Sequence, residues 1–199
     1  MIKMPLIENA TQLPELVGQA GLRHLLITDN LTNGGTTVSK GVMAESIRYA
    51  HENGASLDFV IRPRIGQAQY TDTELKIMEA DILEAQQLGA DGVVMSALGP
   101  DNTLDTDGLN NLIAAAGGMT LSFNHDLDTL TEKDQTTALD WLAAAGFDRV
   151  LTTNFDHLSD RIKLAQDKGL SLVPISSSTS ATETLVATTA LNYVIEIQK

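Results

Sequence analysis

Residues 24–37 read HLLITDNLTNGGTT, an apolar run followed by Asp29-Asn30 and then by a turn that opens on Gly34-Gly35. The run is too short for a free-standing helix and is bounded by turn residues, so it predicts a buried strand whose end and following loop carry polar groups. In a parallel α/β protein, sites gather at such strand ends.

Similar runs lie on either side of this stretch: Met4 to Asn9, Leu57 to Arg64, Gly92 to Leu98, Met119 to Asn124, Arg149 to Thr153, Leu170 to Ile175 and Asn192 to Ile197. Helical spacing fills the intervals. From Thr71, with Glu74 three residues on as a capping box, Leu75, Met78, Ile82, Ala85 and Leu88 recur every three or four positions until Gly89. Leu109, Leu112, Ile113 and Ala116 do the same before Gly117; Ala138, Trp141, Leu142 and Ala145 before Gly146; Leu158, Ile162 and Ala165 before Gly169. Parallel neighbours need crossover connections, so strict alternation implies a parallel sheet. The strand count favours a TIM-like (β/α)8 barrel as a single domain over 1–199. An open doubly wound sheet is the alternative, because about 25 residues per unit is short for a barrel and the last helix, near Ala181 to Thr189, is weakly patterned.

Thirteen basic against 26 acidic residues give a net charge of -13, which repels phosphate backbones and anionic lipid and argues against nucleic-acid and membrane partners. The chain has no cysteine, which excludes disulfides and thiolate metal sites and fits a reducing compartment. No apolar run reaches the roughly 18 residues of a membrane span, and MIKMPLIENATQLPEL lacks the apolar core of a signal peptide. The expected location is the cytoplasm.

Three groups carry candidate chemistry. Arg62 and Arg64 sit two apart at a strand end, on one face, and as cations that cannot face an apolar helix layer they belong at the barrel mouth. There they would grip a carboxylate or phosphate of a small anionic ligand, or else form ion pairs with acids such as Asp29 and Asp81. Gly34-Gly35 with Thr36-Thr37 offers N–H groups and hydroxyls suited to an oxyanion, or simply permits a tight turn. Asn124, His125, Asp126 and Asp128 form the dense histidine and acid cluster, with His125 and Asp128 as acid-base candidates and a solvated loop histidine as the bland alternative. Strand parity sets Asn124 and His125 on opposite faces unless the strand has ended there. Asp29, Asn30, Gly34, Gly35, Thr36, Arg62, Arg64 and Asn124 make up the expected ligand-binding set.

DNLTNGGTTVSKG from Asp29, VIRPRIGQAQYTDTELKIMEADI from Val60, GADGVVMSALGPDNTLD from Gly89, LSFNHDLD from Leu121 and GFDRVLTTN from Gly146 together resemble the CutC family of copper homeostasis proteins, built on a TIM-like barrel. The resemblance implies a cytoplasmic protein that binds a copper ion or a metal-linked small molecule, with a homodimer as one assembly it allows. The chain departs from the family pattern at several points. Leu26 stands at its glutamate, which leaves the arginines one candidate partner fewer, and Thr28 at its cysteine. Asn124 and His125 stand at its histidine and arginine, Asn154-Phe155 at a glycine pair, and Ser176 to Ser178 at a glycine run. Copper(I) prefers sulfur ligands; Met43, Met78 and Met95 read as core, and His24, His51 and His157 match no metal spacing. Copper therefore comes from the resemblance alone. The rival readings are an enzyme or binder for a small anionic metabolite, and a family member whose site is altered.

Overall fold

A computed structural model describes residues 2–19, 21–177, 182–183 and 191–198. Its eight strands are β1 (Ile2–Glu8), β2 (His24–Thr28), β3 (Ser56–Val60), β4 (Gly92–Met95), β5 (Thr120–Phe123), β6 (Arg149–Thr152), β7 (Ser171–Ser176) and β8 (Tyr193–Ile197). They pair in sequence order and close on themselves, with Ile2 opposite Tyr193 and every pairing parallel. Closure settles the choice against an open sheet. The helices between them are α1 (Leu13–Val17), α2 (Lys40–Glu52), α3 (Asp72–Leu88), α4 (Thr106–Ala116), α5 (Glu132–Ala144) and α6 (Leu158–Asp167). The helix read near 181–189 lies outside the described residues apart from Thr182 and Glu183.

Alternation along each strand splits the apolar residues into two cores. Ile7, Ile27, Phe59, Val93, Phe123 and Val150 turn outward and pack under the helices. Their neighbours Leu6, Leu26, Val60, Val94 and Leu151 turn inward and, with Met4, Val173 and Ile195, fill the axis. Each such side chain contributes about 1.5–3 kcal/mol on burial, so the axis is a packed core with a floor and a mouth. Helix α3 shows how local chemistry sets the element bounds: Thr71 accepts from Glu74 N while Glu74 bonds back to the cap, and Gly89 ends the helix at φ 91, a left-handed turn that costs glycine nothing. No described helix is long and apolar enough to cross a membrane.

The strand predicted to run to Arg64 stops at Val60. Pro63 removes a ladder donor and the chain bends from there through Gly66, so strand parity reaches Arg62 and no further. Strand β5 ends at Phe123, which frees Asn124 and His125 from opposite faces.

Candidate functional site

The carboxyl ends of the strands open on a cavity of about 180 Å³. Leu6, Leu26, Val60, Leu151, Ile175 and Ile197 form its floor and walls, Gly34-Gly35 close one side and Asn124-His125 the other. Its surface is thus mostly aliphatic, in contrast to the polar pocket the sequence suggested.

The difference arises because most expected donors already have partners within the protein. Gly34 N donates to Leu31 O at 3.1 Å, Gly35 N to Asn30 O at 3.1 Å and Thr36 N to Asp29 O at 2.8 Å, so the loop's N–H groups point back into its own turn. Asp29 Oδ1 takes Asn9 Nδ2 at 3.0 Å and Asn30 N at 2.9 Å, bracing β1 against β2, and Asn30 Oδ1 receives Asn33 Nδ2 at 2.7 Å. Thr28 Oγ1 lies 3.0 Å from Thr36 O, and a Cβ on Gly35 would fall 2.5 Å from that hydroxyl oxygen. Only glycine lets the loop lie so close to β2.

Arg62 is 6% exposed. Its Nη1 donates to Gly34 O at 3.0 Å and its Nη2 to Gly66 O, while its Nε is sealed in the interior. A Cβ on Gly34 would meet Nη1 at 2.9 Å, so the glycine loop covers the guanidinium and itself forms the cavity wall. Arg64 does not join it. Its guanidinium pairs with Glu74, donates to Gln67 O at 2.9 Å and Gln69 O at 2.7 Å, and stacks over Tyr70 at 5.2 Å. The two arginines therefore stiffen the loops around the mouth; the predicted clamp on a common anion is not assembled, and neither arginine pairs with Asp29 or Asp81.

Asp128 is likewise taken up. It receives Thr152 Oγ1 at 2.7 Å, Thr153 N at 2.7 Å and Arg161 Nη2 at 2.7 Å, tying the turn after β5 to the loop after β6. This satisfied carboxylate positions a loop and does not face the cavity. His125 does line the cavity, and its Nδ1 lies 2.9 Å from Asn124 Oδ1, which also accepts His125 N at 2.9 Å.

Sequence reading passed over two features. Ser96 Oγ donates to the buried Asp126 Oδ2 at 2.6 Å, and Tyr70 lies within electrostatic reach of Asp126 and Arg62; burial pushes its phenol up, the Arg62 cation opposes, and Asp126 adds to the rise. Inward parity of Gly92, Val94 and Ser96 would have pointed to the serine. The second lies at the opposite end of the axis, where Asp58 pairs with Arg149 Nη1 at 2.9 Å and His24 Nε2 at 2.8 Å. A lone carboxylate inside the apolar run SLDFV was its signal.

Fold and site together define a closed (β/α)8 barrel with a small, mostly aliphatic cavity at the strand ends, rimmed by one polar pair. The chain belongs to the CutC family, whose model matches residues 5–181. It is 38% identical to a CutC family protein of Enterococcus faecalis over 98% of this chain and 97% of that one. A human copper homeostasis protein cutC homolog is 33% identical over 69% of this chain and 49% of its own length. The crystal structure of a CutC protein from Streptococcus agalactiae superposes with a TM-score of 0.91 at 32% identity, covering 98% of each chain.

Proposed function

We propose that this protein serves copper homeostasis in the cytoplasm by binding a small organic molecule, free or metal-linked, in the cavity at its barrel mouth. The observation that carries this reading is the open 180 Å³ space at the position where barrels of this class hold their ligands. An engineered apolar cavity of about 150 Å³ takes up benzene, so the volume suits a molecule of that order. Among the described residues no side chain fills the mouth, which argues against the reading of a lost site. A cysteine-free chain suits the reducing cytoplasm.

The donor set does not fit a copper(I) ion held by the protein alone. That ion seeks thiolate or thioether sulfur, and the chain has no cysteine. Met4, Met43, Met78 and Met95 are at most 2% exposed within the cores. Among the described residues no three of His, Asp or Glu gather as metal ligands. An anionic ligand is disfavoured too, since Arg64 and the loop N–H groups are bonded elsewhere and Arg62 lies behind Gly34 with its Nη atoms on backbone carbonyls.

Thermal-shift screening of small neutral and charged organics tests the proposal. Some neutral compounds should raise the melting temperature of the wild type and fail to do so in Leu26→Phe or Thr153→Trp, which fill the cavity from floor and rim. Anaerobic copper(I) titration should show no stoichiometric site; saturable one-to-one binding of the bare ion would overturn the reading.

A further inference from the structure

We propose that the cavity selects a neutral head group that is hydrogen-bond donor and acceptor at once, a hydroxyl or a carboxamide, on an aliphatic body. This rests on the mouth being a small-molecule site and adds the chemistry of the ligand.

Asn124 and His125 fix each other's hydrogens. His125 N lies 2.9 Å from the Asn124 side-chain oxygen, and a backbone N–H can only donate, so the atom facing it is the carbonyl oxygen and not the amide nitrogen. That oxygen also lies 2.9 Å from His125 Nδ1. It has no hydrogen to give, so Nδ1 must carry one. In the neutral imidazole this leaves Nε2 bare, a pure acceptor. No described carboxylate bonds to the ring: Asp126 is engaged by Ser96, and Asp128 by Thr152, Thr153 and Arg161.

The amide nitrogen of Asn124 completes the pair. Asn124 is 5% exposed and lines the cavity, yet its Nδ2 bonds to no described residue. That nitrogen opens on the cavity, where a ligand oxygen takes its hydrogen in place of water. The other polar side chains on the wall already have partners, Thr28 Oγ1 with Thr36 O at 3.0 Å and Thr153 Oγ1 with Asp128 Oδ2 at 3.2 Å. Two consecutive residues of the lining thus bring one acceptor and one donor to an otherwise aliphatic surface. A hydroxyl or carboxamide gives a proton to Nε2 and takes one from Nδ2. A carboxylate meets the Nε2 lone pair, and among the described lining residues none is a cation; Arg62 lies behind Gly34 with its Nη1 on Gly34 O, so it offers the carboxylate no direct bond against the cost of desolvation.

Nitrogen NMR of the imidazole, with cyclohexanol, cyclohexanecarboxamide and cyclohexanecarboxylate as probes, tests this directly. In the free protein, at a pH where the ring is neutral, Nδ1 of His125 should resonate as the protonated nitrogen and Nε2 as the proton-free one; the opposite tautomer overturns the proposal without any variant being needed. The alcohol and the amide should move the Nε2 resonance saturably. Their affinity should fall about tenfold in His125→Phe and in Asn124→Leu, as the loss of a hydrogen bond with its partner left unsatisfied requires. The carboxylate should bind at least as many fold more weakly than the alcohol. Tightest binding by the carboxylate, abolished by Leu26→Phe, would keep the mouth as a site and overturn its head-group preference. Failure of all three probes to bind would overturn both.

Discussion

Asp81 sits on α3 with its carboxyl half-buried, where loss of hydration pushes its pKa up from the ordinary 3.8 against the opposing hydrogen bond from Thr37. A carboxyl whose folded pKa is raised holds its proton more tightly in the native state, so it favours folding below 3.8 and loses that contribution as pH rises through the folded value. At neutral pH the charged Asp81 therefore weighs against the fold. Asp81→Asn should melt higher than the wild type at pH 7, with the advantage gone at about pH 3; an advantage equal at both pH values would locate the effect elsewhere than in the charge. Strand-end position made Asp29, Arg62, Asn124 and His125 legible as mouth residues. What could not be read was the partner of each. Arg64 had Asp29 and Asp81 as plausible neighbours, yet the bend after Pro63 carries it to Glu74, and nothing in the sequence ties Arg161, in the first turns of α6, to Asp128 in the turn after β5.

Helix α3 joins two jobs in Glu74, which closes the capping box with Thr71 and holds Arg64 in the loop before it. The carboxyl lies below its ordinary 4.5, first because of the Arg64 hydrogen bond and then because of Thr71 N. A depressed carboxyl stabilises the fold above its unfolded pKa and loses that contribution as pH falls. Thr71→Ala should cost about 1 kcal/mol, as cap removal usually does. Combined with Arg64→Ala it should cost less than the sum, because both variants act through one carboxylate. Urea denaturation at pH 7 would show the shortfall, which should vanish at acid pH once Glu74 is protonated; strict additivity at pH 7 would mean that cap and loop are independent. The bounds of α3 were readable from Thr71, Glu74 and Gly89, because capping chemistry is local. The end of β3 was not, since Leu57 to Arg64 stays apolar or extended past the last ladder pairing at Val60.

At the scale of the whole barrel, the two ends of the axis divide the work. The mouth keeps an open cavity, whereas the amino-terminal end closes on a charged layer: Asp58, fully buried, between His24 Nε2 at 2.8 Å and Arg149 Nη1 at 2.9 Å. Arg149 also stacks over Tyr193 of the closing strand at 5.5 Å, so the layer links β2, β3, β6 and β8. Gly92 makes room for it, since a Cβ there would fall 2.4 Å from Asp58 Oδ1. Removing Asp58 leaves the Arg149 guanidinium as a largely buried charge without its carboxylate. Asp58→Ala should therefore lose about 3–5 kcal/mol of stability, read from the urea midpoint. Asp58→Leu combined with Arg149→Met removes both charges and should lose less than Asp58→Ala alone, because a well-packed apolar pair replaces an ion pair at little cost. Cyclohexanol binding at the mouth should be unchanged in whichever of these variants folds, since the aliphatic axis of Met4, Leu26, Val94 and Val173 lies between the layer and the cavity. A weakened affinity in a folded Asp58→Ala would instead show that the charged floor and the mouth move as one unit.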